Sequence, residues 1–376
     1  MTGGGTACGH APDLVVRTAR AADLDRILDL LTHYDRPRSF FEPWYLADPA
    51  YRPQHSWLAE EDGRLVAHLR LFPRMLRIGG PHLRVAGLGN IVTAREARGR
   101  GHAGRLIQAS LGAAARAGYQ YSLLWTHLPQ VYQRYGFGPA PEQELHAAAG
   151  PSRGAAGIRL ADDADLPAIA ALQDTFDARR SGPAVRDLAW WRASRHWLGD
   201  DLLVAGGPAG ITGYARRRIG PDLVEVLELG VDPGDIVGGR QLLAAAAAPR
   251  QGRFRAVLPR SLYPVVDPLH RAIRQSPGLM GRPLALPDLA AVLSGMWAPR
   301  LAAARLPGGT VPVALPGQAA ALRVTPGGVT ASADPGDALP LGPGELTALL
   351  FRGCDNQTIP LVGKRPDLNL LATVAP

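Results

Sequence analysis

The stretch Arg98-Gly99-Arg100-Gly101-His102-Ala103-Gly104 follows a strand-like run from Ala86 to Thr93 and opens a helical one from Leu106 to Ala117. Glycines at such a junction let backbone N–H groups crowd a phosphate, and the new helix adds unpaired donors with a partial positive end. Together they make a seat for a pyrophosphate. The spacing is Arg-x-x-Gly-x-Ala, neither the Gly-x-Gly-x-x-Gly of dinucleotide folds nor a P-loop ending in Gly-Lys-Ser/Thr. The plainer reading is an arginine-rich helix entry with no ligand, and context separates the two.

At 376 residues the chain is too long for one ordinary core, so two or three domains are expected. Its 46% apolar and 20% charged residues make a globular composition. No apolar run reaches the length needed to cross a bilayer, and Met1 to Pro12 has neither a basic start nor an apolar core, so the expectation is a cytoplasmic protein without a membrane partner. Cys8 and Cys354 make neither a disulfide framework nor a metal site. The net charge of +8 invites a nucleic-acid reading, yet Lys364 is the only lysine and the arginines are spread along the chain. A nucleic-acid partner is therefore not expected. The positive balance favours anionic ligands by long-range attraction.

Two segments read alike. Val16-Arg17-Thr18-Ala19-Arg20-Ala21-Ala22-Asp23-Leu24-Asp25-Arg26-Ile27 returns as Ile158-Arg159-Leu160-Ala161-Asp162-Asp163-Ala164-Asp165-Leu166-Pro167-Ala168-Ile169. In each, a short strand gives way to a helix whose Asp23 or Asp165 sits at the N-cap. Apolar residues then follow at helical spacing: Leu24, Ile27, Leu28 and Leu31 in one, Leu166, Ile169 and Leu172 in the other. One unit is used twice.

Strands are expected at Ser56 to Glu60, Arg64 to Phe72, Ala86 to Thr93 and Tyr121 to Thr126, with a helix from Gly104 to Ala117. The second unit repeats the order: strands Leu202 to Gly206, Ile211 to Ile219, Leu223 to Val231 and Phe254 to Leu258, with a helix from Ile236 to Ala248. Both predict mixed sheets in an α/β fold. Gly150 to Gly157 is a Pro/Gly/Ser-rich link. After Arg282, short strands at Thr310 to Leu315, Ala319 to Thr325 and Val329 to Ala333, then a helix from Gly344 to Phe351, predict a small α+β domain. The expected domains are residues 13–149, 150–285 and 286–376.

The Arg98 to Gly104 loop, with Val92 and Thr93 before it, resembles the acyl-CoA-binding loop of the GNAT (GCN5-related) N-acetyltransferase superfamily. Val131-Tyr132-Gln133-Arg134-Tyr135-Gly136-Phe137 matches that family's aromatic Tyr, two residues, then Gly-Phe after the fifth strand. Two such units followed by a small α+β domain resemble the Eis-type acetyltransferases, whose last domain is similar to sterol carrier proteins (SCP2-like). The second unit keeps the scaffold and loses the loop. It reads Val231-Asp232-Pro233-Gly234-Asp235-Ile236-Val237-Gly238-Gly239, with two carboxylates and no arginine, which repels a pyrophosphate.

The resemblance implies acetyl-CoA or another acyl-CoA as co-substrate and no metal. It also implies an amine-bearing small molecule or peptide as acceptor and a homo-oligomer, while the two carboxylates of the second unit's loop leave one acyl-CoA site per chain. Backbone N–H groups of Asn90, Ile91, Val92 and Thr93 would hold the thioester oxygen. The amides of Arg98, Gly99, Arg100, Gly101, His102, Ala103 and Gly104 would hold the phosphates. Tyr132 falls where the family places the acid that protonates the departing sulfur, and a phenol stays neutral at working pH. The family's base is the chain's own C-terminal carboxylate, here that of Pro376, although Leu361 to Pro376 lacks the usual aromatic ending.

His127, whose imidazole titrates near neutrality, is a substitute base, and Glu42 beside Phe40, Phe41, Trp44 and Tyr45 is another. That aromatic group would line an acceptor pocket or pack on the core. Trp190, Trp191 and Trp197 read as core, and Arg216-Arg217-Arg218 as a solvated strand edge or an anion contact. The expected function is N-acyl transfer from acetyl-CoA to a polyamine-like, aminoglycoside-like or peptide amine. The alternatives are a tRNA-dependent aminoacyl transferase on the same fold and a non-catalytic CoA-binding or regulatory module.

Overall fold

The computed structural model describes residues 13–140, 142–149, 157–178, 180–195, 200–207, 210–232, 234–266, 271–276, 278–305, 308–315, 318–334 and 341–352. In chain order the first elements are β1 (Leu14–Thr18), α1 (Leu24–Leu31), α2 (Arg38–Leu46), β2 (Ser56–Glu61), β3 (Arg64–Ile78), β4 (His82–Thr93), α3 (His102–Arg116), β5 (Tyr121–Trp125), α4 (Pro129–Gln133) and β6 (Gly138–Pro139). Next come β7 (Glu142–Ala148), β8 (Ile158–Leu160), α5 (Leu166–Asp177), β9 (Ser181–Ala184), α6 (Leu188–Ser194), β10 (Asp201–Gly207), β11 (Gly210–Ile219), β12 (Val224–Val231), α7 (Ile236–Ala247), β13 (Arg253–Ala256), β14 (Arg271–Ser276) and β15 (Leu279–Pro283). The chain continues through α8 (Leu286–Ala304), β16 (Gly309–Leu315), β17 (Gln318–Thr325), β18 (Gly328–Ser332) and α9 (Pro343–Arg352).

The duplicated segments form matching corners. Arg17 binds Asp23 at 2.7 Å and Arg159 binds Asp165 at 2.6 Å, each guanidinium at the end of the first strand of its unit. Asp23 and Asp165 stand at the helix starts but accept no backbone N–H of the helix they precede. Their carboxylates instead accept the N–H groups of Arg20 and Asp162 at 2.8 Å, so they fasten the turn between strand and helix. The Arg17 hydrogen bond, above all, holds Asp23 well below the usual carboxylate range.

Two mixed sheets follow. The first runs β1-β2-β3-β4-β5-β15-β6, with β9 added to the far end of β3. The second runs β14-β7-β13-β12-β11-β10-β8, and a third, of three strands, runs β16-β17-β18. Parallel pairing occurs at β4/β5 in the first sheet and at the matching β12/β13 in the second. The two large sheets exchange strands. β7, early in the chain, pairs with β13 and β14, while β15, after the second unit, pairs with β5 and β6. No single cut therefore separates the sheets.

β3 continues past Phe72 through Pro73. Pro73 pairs with Ala86 of β4 on one side, while on the other the pairing with β2 ends at Arg70 and that with β9 begins only at Leu76, which leaves an edge where a proline N–H is not needed.

Helix α8 was not marked by any apolar stripe because it is buried on several sides. Its Leu289, Leu293, Met296, Trp297 and Leu301 pack between Leu76, Ile78, Leu83 and Val85 of the first sheet and Val311, Val313, Leu322 and Val324 of the third. Helix α9 completes this core with Leu346, Leu349 and Leu350, and its Thr347 hydroxyl lies 2.8 Å from the buried Tyr121 hydroxyl. A second core gathers Ile27, Leu28 and Leu31 of α1 and Leu106, Ile107 and Leu111 of α3 with Leu58, Leu69 and Val92 of the first sheet, and Met280 from β15 is among them.

Candidate functional site

The stretch Arg98 to Gly104 forms the entry to α3. Gly99 and Gly101 both adopt φ of +83°, the left-handed region that a side chain disfavours, and a Cβ at either would point into open space. Gly101 is the N-cap residue, and no side chain caps the 15-residue helix or places an acid in its first turn. The first N–H groups of α3 thus lie under an exposed, glycine-containing turn at the positive end of the helix. Arg98 and Arg100 are exposed beside it. Arg98 Nε donates to the Thr93 carbonyl at 3.4 Å, and Arg100 pairs with Glu61 at 2.8 Å. Glu61 also lies 3.0 Å from Nε2 of the buried His102, so the carboxylate that holds Arg100 stands beside the first residue of α3 as well.

The matching helix of the second unit starts differently. Asp235 is the N-cap of α7, and its carboxylate accepts the N–H of Gly238 at 2.8 Å. Asp232 accepts the N–H of Gly234 at 2.8 Å. Protein carboxylates occupy the donors here. An anion at this helix would meet two negative charges.

Strands β4 and β5 part beside the open loop. Their parallel ladder ends at Leu88↔Leu124, leaving Gly89 to Thr93 beyond it. There the backbone bulges: Val92 opposes His68 and Gly89 opposes Arg70, so Asn90 and Ile91 share one position opposite Leu69. Asn90 takes φ of +49°. The candidate thioester-binding residues Asn90, Ile91, Val92 and Thr93 therefore lie at a splayed, irregular strand end a few residues before the loop.

Tyr132 sits on the short α4, half-buried, its ring edge-on to Phe137 at 6.3 Å. The Tyr135 hydroxyl lies over Gly104, so close that a Cβ there would approach it to 2.3 Å. Tyr34, in the turn after α1, donates its hydroxyl to the Ile91 carbonyl at 2.6 Å. Burial chiefly, with a contribution from Tyr135, raises the Tyr132 phenol above its ordinary value.

The other candidates are dispersed. His127 is exposed and packs edge-on against Trp125 at 4.3 Å. Glu42 is bound to Arg38 at 2.9 Å, and Arg38 also holds Asp25 and Asp29. Pro376 lies outside the described residues, as do Trp197, Cys8 and Cys354. Of the aromatic group, Phe41 and Tyr45 are buried on α2 and Phe40 is exposed.

Arg216-Arg217-Arg218 is no solvated edge. Arg216 is buried against Trp190 and Trp191, Arg217 binds Asp201 and the carbonyls of Ala245 and Ala246, and Arg218 binds Asp200.

Sequence reasoning passed over Tyr34, His68 and Arg70. Arg70 is fully buried, paired with Asp48 at 2.7 Å and stacked on Tyr45, Tyr51 and Phe72. Its alternation with His68 on β3 is the one signal that was available. Two polar side chains on the inner face of an otherwise apolar strand mark a built interior.

Among the described residues no group of three or more metal-ligating side chains converges, and no helix is long and apolar enough to cross a membrane.

Residues 15–140 match the family model described as an acetyltransferase (GNAT) domain. An uncharacterised N-acetyltransferase of Streptomyces griseus is 29% identical over 147 residues, covering 36% of this chain and 35% of that protein. The match thus spans about a third of the length of the curated relative. Among solved structures, a GCN5-related N-acetyltransferase from Kribbella flavida shares the fold over 96% of both chains, with a TM-score of 0.71 at 19% identity. Eis1 from Mycobacterium abscessus does so over 96% of both chains, with a TM-score of 0.64 at 17% identity. Residues 15–140 are accordingly an acetyltransferase domain of the GNAT family, set in a mixed α/β fold that the chain shares along nearly its whole length with solved proteins of that kind.

Proposed function

We propose that the chain is an acyl-CoA-dependent N-acyltransferase with one acyl-CoA site per chain, transferring an acetyl group to a primary amine of a small molecule or peptide. The observation that carries this reading is the contrast between two helix starts: α3 begins at an uncapped glycine, and α7 begins under the carboxylate of Asp235. Acyl-CoA would supply an activated acyl group as a thioester. The turn before α3 suits its diphosphate, being exposed, rich in glycine, free of acid in the first helical turn and flanked by Arg98 and Arg100.

Each residue then has a task. The main-chain amides from Arg98 to Gly104 hold the phosphates, and the bulge at Asn90 to Thr93 offers amides to the thioester oxygen, where negative charge develops during attack. Tyr132 donates its phenolic proton to the sulfur as the carbon–sulfur bond breaks. Its raised pKa keeps that proton in place at neutral pH. The attacking amine loses a proton to a base, for which His127 and the C-terminal carboxylate of Pro376 stand as candidates. Exposed Trp125 offers a π face to a cationic acceptor.

Thermal denaturation tests the reading. Acetyl-CoA or CoA should raise the unfolding temperature in a concentration-dependent way while ATP and NAD do not, because only a ligand bound to the folded state stabilises it. No shift at millimolar CoA would refute the proposal.

A further inference from the structure

The bulge in β4 has two dedicated supports. Asn90 stands in the left-handed region at φ of +49°, which asparagine adopts more readily than most non-glycine residues. The imidazole of His68, fully buried on β3, has Nδ1 2.8 Å from the Asn90 carbonyl oxygen. A carbonyl only accepts, so Nδ1 carries the hydrogen. The Tyr34 hydroxyl donates to the next carbonyl, that of Ile91, at 2.6 Å. The Asn90 side-chain amide in turn donates to Tyr45 at 3.1 Å. Both carbonyls of the bulge therefore accept a hydrogen bond from a side chain of the protein.

The second unit provides an internal control. His68 pairs with Leu58 across β2/β3, and Tyr214 pairs with Val204 across the matching β10/β11. Tyr214 thus takes the place of His68. Its hydroxyl binds the Glu228 carboxylate at 2.8 Å, and β12 runs in regular register from Val231 to Glu228 opposite Gly213 to Arg216. In the unit whose helix start is closed by Asp235, a phenol that serves Glu228 stands in place of the imidazole, and the bulge of β12 falls further along, at Leu227 between Glu228 and Val226.

We propose that His68 and Tyr34 are positioning residues for acyl transfer: by filling the carbonyls of Asn90 and Ile91 they fix the bulge, and with it the amides that receive the thioester oxygen. This rests on the acyl-CoA reading above. Neither side chain reacts. Each acts through the main chain.

The test uses the full-length protein, CoA and acetyl-CoA labelled with carbon-13 at the carbonyl. In His68→Leu and Tyr34→Phe, CoA should bind within about threefold of the wild type, while turnover falls about 10- to 100-fold, as expected when a reacting group is misplaced by a fraction of an ångström to one ångström. The infrared carbonyl stretch of bound acetyl-CoA should move back toward its value in solution. His68→Asn, whose amide nitrogen replaces Nδ1, should recover most of both. Tyr34 is 44% exposed and loses only an oxygen in Tyr34→Phe, so that variant carries the test if His68→Leu does not fold. Wild-type carbonyl frequency and turnover in Tyr34→Phe, with CoA still bound, would overturn the positioning role alone. A wild-type protein that binds no CoA would overturn the acyl-CoA reading beneath it.

Discussion

The carboxylate of Asp235 closes the start of α7 by accepting the N–H of Gly238 at 2.8 Å. Gly101, at the start of α3, closes nothing. One residue thus separates an occupied helix terminus from an open one in two copies of the same unit. Introducing the carboxylate into the first unit isolates its effect, with Gly101→Asn as the control, since Asn and Asp share shape and a tolerance for left-handed backbone. Gly101→Asp should weaken CoA binding by about tenfold more than Gly101→Asn does, through repulsion of the diphosphate. Equal losses in titration calorimetry would show that charge at this point is irrelevant.

Tyr132→Phe removes the candidate acid and keeps the ring. Turnover should drop by about 10²- to 10⁴-fold, the usual contribution of a proton donor, with CoA affinity nearly unchanged. Because burial raises the Tyr132 phenol, the wild-type rate should show no alkaline loss from this group below about pH 10. A kcat of wild-type size in the Phe variant would remove Tyr132 from the chemistry.

His68 makes stability depend on pH. Burial lowers its pKa from 6.5 to about 4, so between those values the unfolded chain binds a proton that the folded one does not. The contribution is complete above about pH 6.5, declines as the pH falls toward 4 and levels off below, a loss of about 3 kcal/mol. Urea unfolding from pH 7 to 4 should show this decline in the wild type and a flatter profile in His68→Asn. Parallel profiles would mean that the imidazole is not held neutral.

The strand exchange makes the acetyltransferase unit depend on residues far along the chain. Met280 of β15 is fully buried among the residues of the first core. Met280→Ala should lower stability by about 2–5 kcal/mol, as for other large-to-small changes in cores. The thermal midpoint should fall accordingly. A change of a few tenths of a kcal/mol would show that β15 is peripheral to this core.

What could be read in advance follows from how local each signal is. The Arg17 and Asp23 pattern and its copy at Arg159 and Asp165 announced the duplication because strand, turn and helix lie within a dozen residues. The glycines at 99 and 101 announced the open helix start because φ is a property of single residues. The exchange of β7 and β15 left no trace in the sequence, since a strand's partner is chosen by distant residues. Helix α8 was hidden because burial on several sides erases the stripe by which helices are recognised. His68 and Tyr34 were missed because their task is defined only once Asn90 and Ile91 bulge toward them. Asp23 and Asp165 were placed correctly at helix starts but bind the strand-side arginine rather than the helix amides.

Amide hydrogen exchange resolved by residue, with and without CoA, addresses the acyl-CoA site directly. The backbone N–H groups between Arg98 and Gly104 should become strongly protected when CoA is added, and those from Gly234 to Gly239 should exchange as before. Protection confined to the second loop, or none at either, would contradict the assignment of the diphosphate to the start of α3.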